Sequence, residues 1–394
     1  PVHSDIRGPL FVEAMKRQKQ GIDILKLNTG NPATFGFGLP DSIKNALMEH
    51  MQDGVGYCDF KGMPQARQAI CDYETSKGIK GITPDDVFIG NGVSEVVSFA
   101  LTPLLNDGDE VLVPSPSYSL WGNSVYLEDG KPVFYTCDEK ASWYPDIQDI
   151  RSKITDKTKA IVIINPNNPT GVLYPKEILL EIIQVAREFG LLIFADEIYD
   201  RLVMDGKQHI SLASLTEDVP VITLNGLSKS HCLCGYRCGW MVISGPRELT
   251  EDYRQGIIQL TSLRLCANTM AQIVIPAALD DMETPASMVR PGGRIYEQRE
   301  ATVRELEKID GLSFVKNDGA FYIFPKLDVK KFNITNDKQF AHDLLDATNI
   351  LLVPGSGFDW KDPDHFRIVM LPQADVLSDA IRRMGTFLDG YKQK

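Results

Sequence analysis

Val221-Ile-Thr-Leu-Asn-Gly-Leu-Ser-Lys229-Ser-His-Cys-Leu-Cys-Gly-Tyr-Arg237-Cys-Gly-Trp240 is the stretch on which the reading of this chain turns. Val221 to Leu224 is a short apolar run, the pattern of a buried strand. Gly226 breaks it, and one lysine follows in a segment with no other charge until Arg237, eight residues on. A lysine so placed is either a solvated surface cation or an amine wanted for chemistry. Desolvation lowers an amine's pKa, and a neutral amine condenses with a carbonyl. Arg237, in a glycine-rich turn, is placed to meet an anion such as a phosphate. The stretch by itself leaves both readings of Lys229 open.

Working outward, further apolar runs stand at Val87–Ile89, Glu110–Val113, Ala160–Ile164, Leu191–Phe194 and Gly239–Ile243. Helical patterns lie between them. One covers 93–105, and another starts at Pro175, keeps Ile178, Ile182, Val185 and Phe189 on one face, and stops at Gly190. Continuous apolar strands alternating with helices predict an α/β fold with a mostly parallel sheet covered on both faces. Upstream, the pattern predicts a helix over 9–20, an extended 24–32 with free backbone N–H groups near Gly30, and a helix opening on Asp41 as N-cap. A glycine-flanked loop, 56–62, follows, then a helix through Arg67 and Tyr73.

After about residue 290 the texture changes to a charged amphipathic helix (294–308) and two strand-like runs flanking Asn317-Asp-Gly319, a turn signal that predicts a hairpin. A helix over 337–347, short strands at 350–353 and 366–370, and a closing helix complete a smaller α+β domain. The expected division is therefore an N-terminal segment (1–40) packing with the small domain, a large ligand-binding domain (41–290) and a small C-terminal domain (291–394).

Composition narrows the function. The 394 residues suffice for two domains, with 43% hydrophobic and 24% charged residues. A formal net charge of -12 argues against a nucleic-acid groove or an anionic membrane as main partner. No apolar run approaches a membrane span, and no secretory h-region stands at the first residues. Seven scattered cysteines suit a reducing cytoplasm better than a disulfide framework. Cys232, Cys234 and Cys238 lack the second cluster of a zinc site and read as core or turn residues, so no metal is expected.

In open parallel sheets, ligands bind beyond the carboxyl ends of the strands. Five strand ends here carry polar groups: Asn91-Gly-Val93-Ser94, Tyr118, Asn168, Asp196 with Tyr199, and Ser228-Lys229. Taken singly, each has a plain reading as a turn, a packed aromatic or a loop cap. Together they ask for one ligand with a carbonyl, a ring to stack, a cationic ring nitrogen, a phenolate oxygen and a phosphate. Pyridoxal phosphate has all five. Its aldehyde would condense with Lys229, its ring would lie against Tyr118, and Asp196 would keep its pyridine nitrogen protonated. Tyr199 and Asn168 would bond the ring oxygen. The phosphate would take the N–H groups at the helix start near Val93, the Ser94 hydroxyl and Arg237.

At this point Asn167-Asn-Pro-Thr-Gly171, Ala195-Asp-Glu-Ile-Tyr199 and Ser228-Lys229-x7-Arg237-x-Gly-Trp240 resemble the motifs of class I aminotransferases, the fold-type I pyridoxal phosphate enzymes. Within that family, Asp5-Ile-Arg-Gly-Pro9, Gly30-Asn-Pro32, Gly56-Tyr-Cys-Asp-x-Lys-Gly62, Arg264-Leu-Cys-Ala-Asn268 and Pro291-Gly-Gly-Arg294 are similar to those of bacterial alanine (glutamate–pyruvate) aminotransferases. The resemblance implies that Arg367 grips the substrate α-carboxylate, that Gly30 lies over the substrate beside Asn168, and that Lys229 moves the α-proton with Asp196 and Tyr199 tuning the cofactor. It implies a homodimer in which Tyr57 reaches the other subunit's phosphate. Many relatives carry a phosphate-binding Ser three residues before the lysine; this chain has Gly226 there, and Ser228 or backbone would substitute. The expected reaction is ping-pong transfer of an amino group between L-alanine and 2-oxoglutarate, with amino acids and 2-oxo acids as the partners. Branched-chain or aromatic transamination, a C–S β-lyase reaction, and a non-catalytic cofactor-binding regulator are the competing readings. Arg264 lies near the region where aspartate-specific relatives place a second arginine.

Overall fold

The structure, a computed structural model, describes residues 2–394. An eight-stranded sheet runs, in spatial order, Val87–Asn91, Cys238–Ser244, Val221–Gly226, Leu192–Asp196, Thr158–Ile164, Glu110–Ser115, Lys131–Asp138 and Tyr144–Pro145. From Val221–Gly226 to Lys131–Asp138 neighbouring strands are parallel. Cys238–Ser244 runs against both its neighbours. The runs are apolar throughout because successive residues go to opposite covered faces. Ile161 and Ile163 pack with Leu179, Ile182 and Ile183 of the helix Lys176–Phe189. Val162 and Ile164 pack on the other face with Val96, Val97 and Ala100 of the helix Val93–Leu101 and with Ile257 of Arg247–Arg264. All of the parallel strands therefore deliver their carboxyl ends to one edge.

The predicted strands of the large sheet form, each running one or two residues past the apolar run at its carboxyl end except Thr158–Ile164, which is extended at its start, while 350–353 divides into Ile350–Leu351 and Val353–Pro354 and 366–370 ends at Val369. Two details differ. The helix Asp41–His50 is capped by Pro40, and Asp41 is its first residue, its carboxylate complementing the positive helix end. The hairpin around Asn317-Asp-Gly319 does not form. The N–H groups of Asp318 and Gly319 both donate to Gly171 O at 2.9 Å, so the turn docks on the 167–171 loop. Its flanks part company: Leu312–Ser313 pairs with Lys326–Leu327, and Tyr322–Ile323 pairs with Phe366–Val369. The C-terminal residues close a core of their own around Phe332, Phe340, Leu344, Phe366 and Ile381. Leu25–Lys26 adds in parallel to Ile350–Leu351, tying the N-terminal residues to that core. Among the described residues, no single helix is long and apolar enough to cross a membrane.

Candidate active site

Lys229 leaves the sheet on a four-residue helical turn, Leu227–Ser230, directly after its strand. The amine is half-buried and donates to Gly30 O at 2.9 Å. No carboxylate lies within salt-bridge distance among the described residues. Burial pulls its pKa down, but Tyr322, Cys234 and Tyr118 together outweigh that and leave it above the ordinary lysine value. Desolvation alone therefore does not neutralise this amine. Phe321 lies under it, with the ring 5.8 Å from Nζ.

Asp196 ends the strand beside it and is 5% exposed. It accepts from Trp121 Nε1 at 3.0 Å and from the Ile198 N–H at 3.3 Å, and among the described residues no cation pairs with it. Burial raises its carboxyl to about 6 against those two donors. Tyr199 shares a 2.9 Å hydroxyl–hydroxyl bond with Tyr322, and burial raises its phenol. Arg367, 1% exposed, donates to Asn168 Oδ1 at 2.8 Å and to Asn28 O, while its Nε has no partner. Its guanidinium is sandwiched between the Tyr322 and Phe358 rings, 4.5 and 4.7 Å from their centroids. Tyr118 is half-buried and contributes to the field at both Lys229 and Arg367.

Opposite Lys229, the helix Val93–Leu101 starts after Gly92, whose φ of 81° a side chain would strain. A Cβ there would collide with the Arg237 guanidinium. Ser94 and Arg237 are exposed at this helix start, and Arg237 is engaged only with Cys234 O, at 2.8 Å. Gly30 is closely covered too: a Cβ would strike Tyr322 Oη. Gly226 has a steric reason. A Cβ would lie 2.5 Å from Cys238 O on the adjacent strand, so no serine fits; Ser228, 8% exposed, is the nearest hydroxyl along the chain.

The structure thus brings Gly30, Asn168, Asp196, Tyr199, Lys229 and Arg367 to one cleft, with Ser94 and Arg237 together at the helix start. It does not bring Tyr57 there: that side chain is 84% exposed on the surface. Arg264 is tied to Glu95 at 2.6 Å and to the carbonyls of Phe60 and Ile89. Sequence reasoning missed Trp121 and Tyr322. A fully buried Trp whose indole N–H needs an acceptor is a signal of a kind, but nothing in spacing says which acceptor.

A cleft with an unpaired amine, a cation-less carboxylate, an anion-ready helix start and a sandwiched arginine has its counterpart in a known family. The model for "Aminotransferase class I and II" matches residues 22–383, and the chain belongs to that family. It is an enzyme that depends on pyridoxal phosphate and acts on amino acids and 2-oxo acids. More particularly, it is 51% identical to the glutamate-pyruvate aminotransferase AlaA of Haemophilus influenzae over 99% of this chain and 96% of that one. It is 46% identical to an alanine aminotransferase of Mycobacterium tuberculosis, covering 99% and 91%. An aminotransferase structure from Escherichia coli superposes with a TM-score of 0.98 at 48% identity, over 100% of this chain and 97% of that one.

Proposed function

We propose that this enzyme exchanges an amino group between L-alanine and 2-oxoglutarate, giving pyruvate and L-glutamate. The observation that carries the reading is the sandwiched Arg367, a buried cation with no carboxylate of its own beside a half-buried amine. The names of its full-length relatives support the choice of alanine over branched-chain or aromatic donors and over β-lyase chemistry.

The residues fit the cofactor. A carboxyl raised to about 6 by burial lacks only a cation, and a protonated ring nitrogen supplies one. When bound, pyridoxal phosphate supplies a carbonyl partner for amino groups and a sink for electrons released at the α-carbon. Asp196 would hold the ring nitrogen, and Tyr118 would cover the ring. Tyr199 and Asn168 would bond its oxygen. The N–H groups from Val93 onward, with Ser94, Ser228 and Arg237, would hold the phosphate. Arg367, with the Gly30 backbone nearby, would take the substrate α-carboxylate. The Lys229 amine would carry the α-proton, a role for general bases worth about 10²–10⁴-fold.

Large apolar side chains Met48, Met51, Val55, Tyr57, Leu263 and Leu265 are exposed. Thr269 Oγ1 bonds Gly54 O at 2.6 Å, so 48–57 and 263–270 form one face. We read it as the homodimer interface, with Tyr57 entering the neighbouring phosphate site, and we place the enzyme in the cytoplasm. The division into 1–40, 41–290 and 291–394 is proposed on the same footing, with the last part moving to exclude water.

The test is a single-turnover spectrum of the holoenzyme. L-Alanine alone converts the cofactor's absorbance and releases one pyruvate per site, and 2-oxoglutarate restores the starting spectrum. A spectrum that alanine leaves unchanged would overturn the substrate assignment.

A further inference from the structure

Among the described residues, the side chains of His209, His231 and His365 are enclosed by the fold. Burial pushes the first two down, His231 to about 4, and both are neutral core groups. His365 is built differently. Its Nδ1 lies 2.6 Å from Asp364 Oδ1, and its Nε2 lies 3.1 Å from Glu139 Oε1. A carboxylate only accepts, and a neutral imidazole carries a single N–H. Both contacts are hydrogen bonds only when the ring is a cation. Burial pulls the ring's pKa down, but Asp364 and Glu139 outweigh it and leave it above the ordinary 6.5. Lys326, 3.2 Å from Glu139 and 3.5 Å from Asp364, completes a set of two cations and two anions. Burial raises the two carboxyls, and the cations more than offset it; Asp364, which also accepts from Trp360 Nε1 at 3.1 Å, is brought to about 2.

The reaction scheme above gives this set no task, yet it joins the sheet to the C-terminal residues. Glu139 directly follows the strand Lys131–Asp138, at the edge of the sheet where the cleft lies. Asp364 and Lys326 face the ring from the other side, and His365 stands two residues before Arg367. A stack of rings leads from one to the other. His365 lies on Phe324, with centroids 4.9 Å apart and planes at 22°. Phe324 meets Phe358 edge-on at 6.0 Å, and Phe358 covers the Arg367 guanidinium at 4.7 Å. Trp143, which follows Glu139 on the sheet side, and Trp360 hold the imidazole edge-on, 5.2 and 5.3 Å away. An interior packed this closely passes a displacement on rather than absorbing it.

We propose that His365 is a positioning residue for the reaction: as an imidazolium shared between Glu139 and Asp364 it holds the C-terminal residues against the sheet with Arg367 aligned for its carboxylate, and loss of its proton releases that alignment. The assignment rests on the reading of Arg367 given above. A neutral ring leaves one carboxylate facing a lone pair, and the set then carries one negative charge in excess. Because the folded-state value lies above 6.5, the contribution of the bridge is complete below about pH 6.5 and is lost as pH rises through the raised value.

The test measures the affinity of the holoenzyme for butyrate by calorimetry, from about pH 6 to about pH 9, in wild type and in Glu139→Gln. The glutamine amide donates to a neutral ring and accepts from a charged one, so the variant has no mismatch at either end. Asp364→Asn makes the same change from the other side and stands in if the first variant does not fold. Taking the ratio of the two proteins removes every titration they share. Wild-type affinity should fall about tenfold relative to the variant across that range, the worth of one buried charge-assisted bond. Urea unfolding of the same holoenzymes gives a second readout, in which wild type loses stability relative to the variant as pH rises. An affinity ratio constant within about twofold would overturn the assignment. If the urea difference still moved with pH, the set would be a structural bridge and nothing more. A ratio that falls as expected while Arg367→Lys binds butyrate unchanged would sink the carboxylate reading of Arg367 and uphold His365 as the group that sets the site.

Discussion

Two groups of buried charges meet at the loop 196–200 and are built on opposite plans. In the first, the Lys77 ammonium lies 2.7 Å from Glu74, 2.9 Å from Glu197 and 3.2 Å from Asp200. The carboxylates are satisfied again from outside: Asp200 by Tyr73 and Asn225, Glu197 by Ser211 and the Leu212 N–H, Glu74 by Trp240. Glu197, Asp200 and His209 would bring ligand atoms within 4.8 Å of one another, but the Lys77 ammonium already serves that cluster as its cation. In the second group, Lys229 has no carboxylate and Asp196 has no cation, although both are enclosed in the same cleft. Asp196 and Asp200 stand on one loop, four residues apart. Burial pushes both carboxyls up; Lys77 and His209 turn Asp200 downward, while Asp196 stays at about 6. Burial is common to the two groups. What separates them is closure, and the open group is where a ligand completes the charge balance.

Replacing each lysine tests that contrast, beginning with the larger effect. Lys229→Ala should lower the rate of amino transfer by at least about 10²–10⁴-fold. The stability of the cofactor-free protein should change little, because the amine gives up only its bond to Gly30 O and a long contact to Cys234 Sγ. Turnover within tenfold of wild type, measured by pyruvate release, would move the chemistry elsewhere. Lys77→Met should do the reverse. Three buried carboxylates losing their shared cation costs about 3–5 kcal/mol, read as a lower urea midpoint. Stability equal to wild type would mean that the closed group is not held by its lysine.

The open group was the more legible in the sequence, and for the same physical reason. A charge that interrupts an apolar strand end is conspicuous, so Lys229 and Asp196 stood out where burial makes charge expensive, and Arg237 stood out in its glycine-rich turn. The parallel core strands read clearly because both their faces are covered. Lys131–Asp138 did not, since it lies next to the sheet's edge strand and its residues alternate between buried and half-buried. The closed group was invisible: Lys77 follows a helix more than 100 residues before its partners Glu197 and Asp200, and nothing local distinguishes it from a surface cation. Trp121 and Tyr322 share that difficulty. Tyr322 reaches Tyr199 because the 317–319 turn is anchored on Gly171 O, a long-range bond that overrode the hairpin its turn residues signal. Turn chemistry located the bend correctly but was silent about its partner strand.

Asp196 supplies the smallest effect and the sharpest test of openness, because closing it chemically should stabilise the empty protein. Its folded-state pKa of about 6 lies above the ordinary 3.8, a difference on the order of 3 kcal/mol. For an acid raised on folding, the native state holds the proton more tightly than the unfolded one. Stability is therefore full below about pH 4 and falls as pH rises through about 6. Asn mimics the protonated form and still accepts from Trp121 Nε1. In cofactor-stripped protein, Asp196→Asn should match wild type near pH 4 and exceed it by up to about 3 kcal/mol at pH 8 in urea unfolding. The difference between the two proteins isolates this group from Glu74, which burial also raises, to about 7, and which titrates identically in both. With pyridoxal phosphate bound the order should invert at pH 8, since only the carboxylate pairs with a cationic ring nitrogen. A variant no more stable than wild type when empty would mean that Asp196 is already balanced, and that the two charge groups differ less than their geometry says.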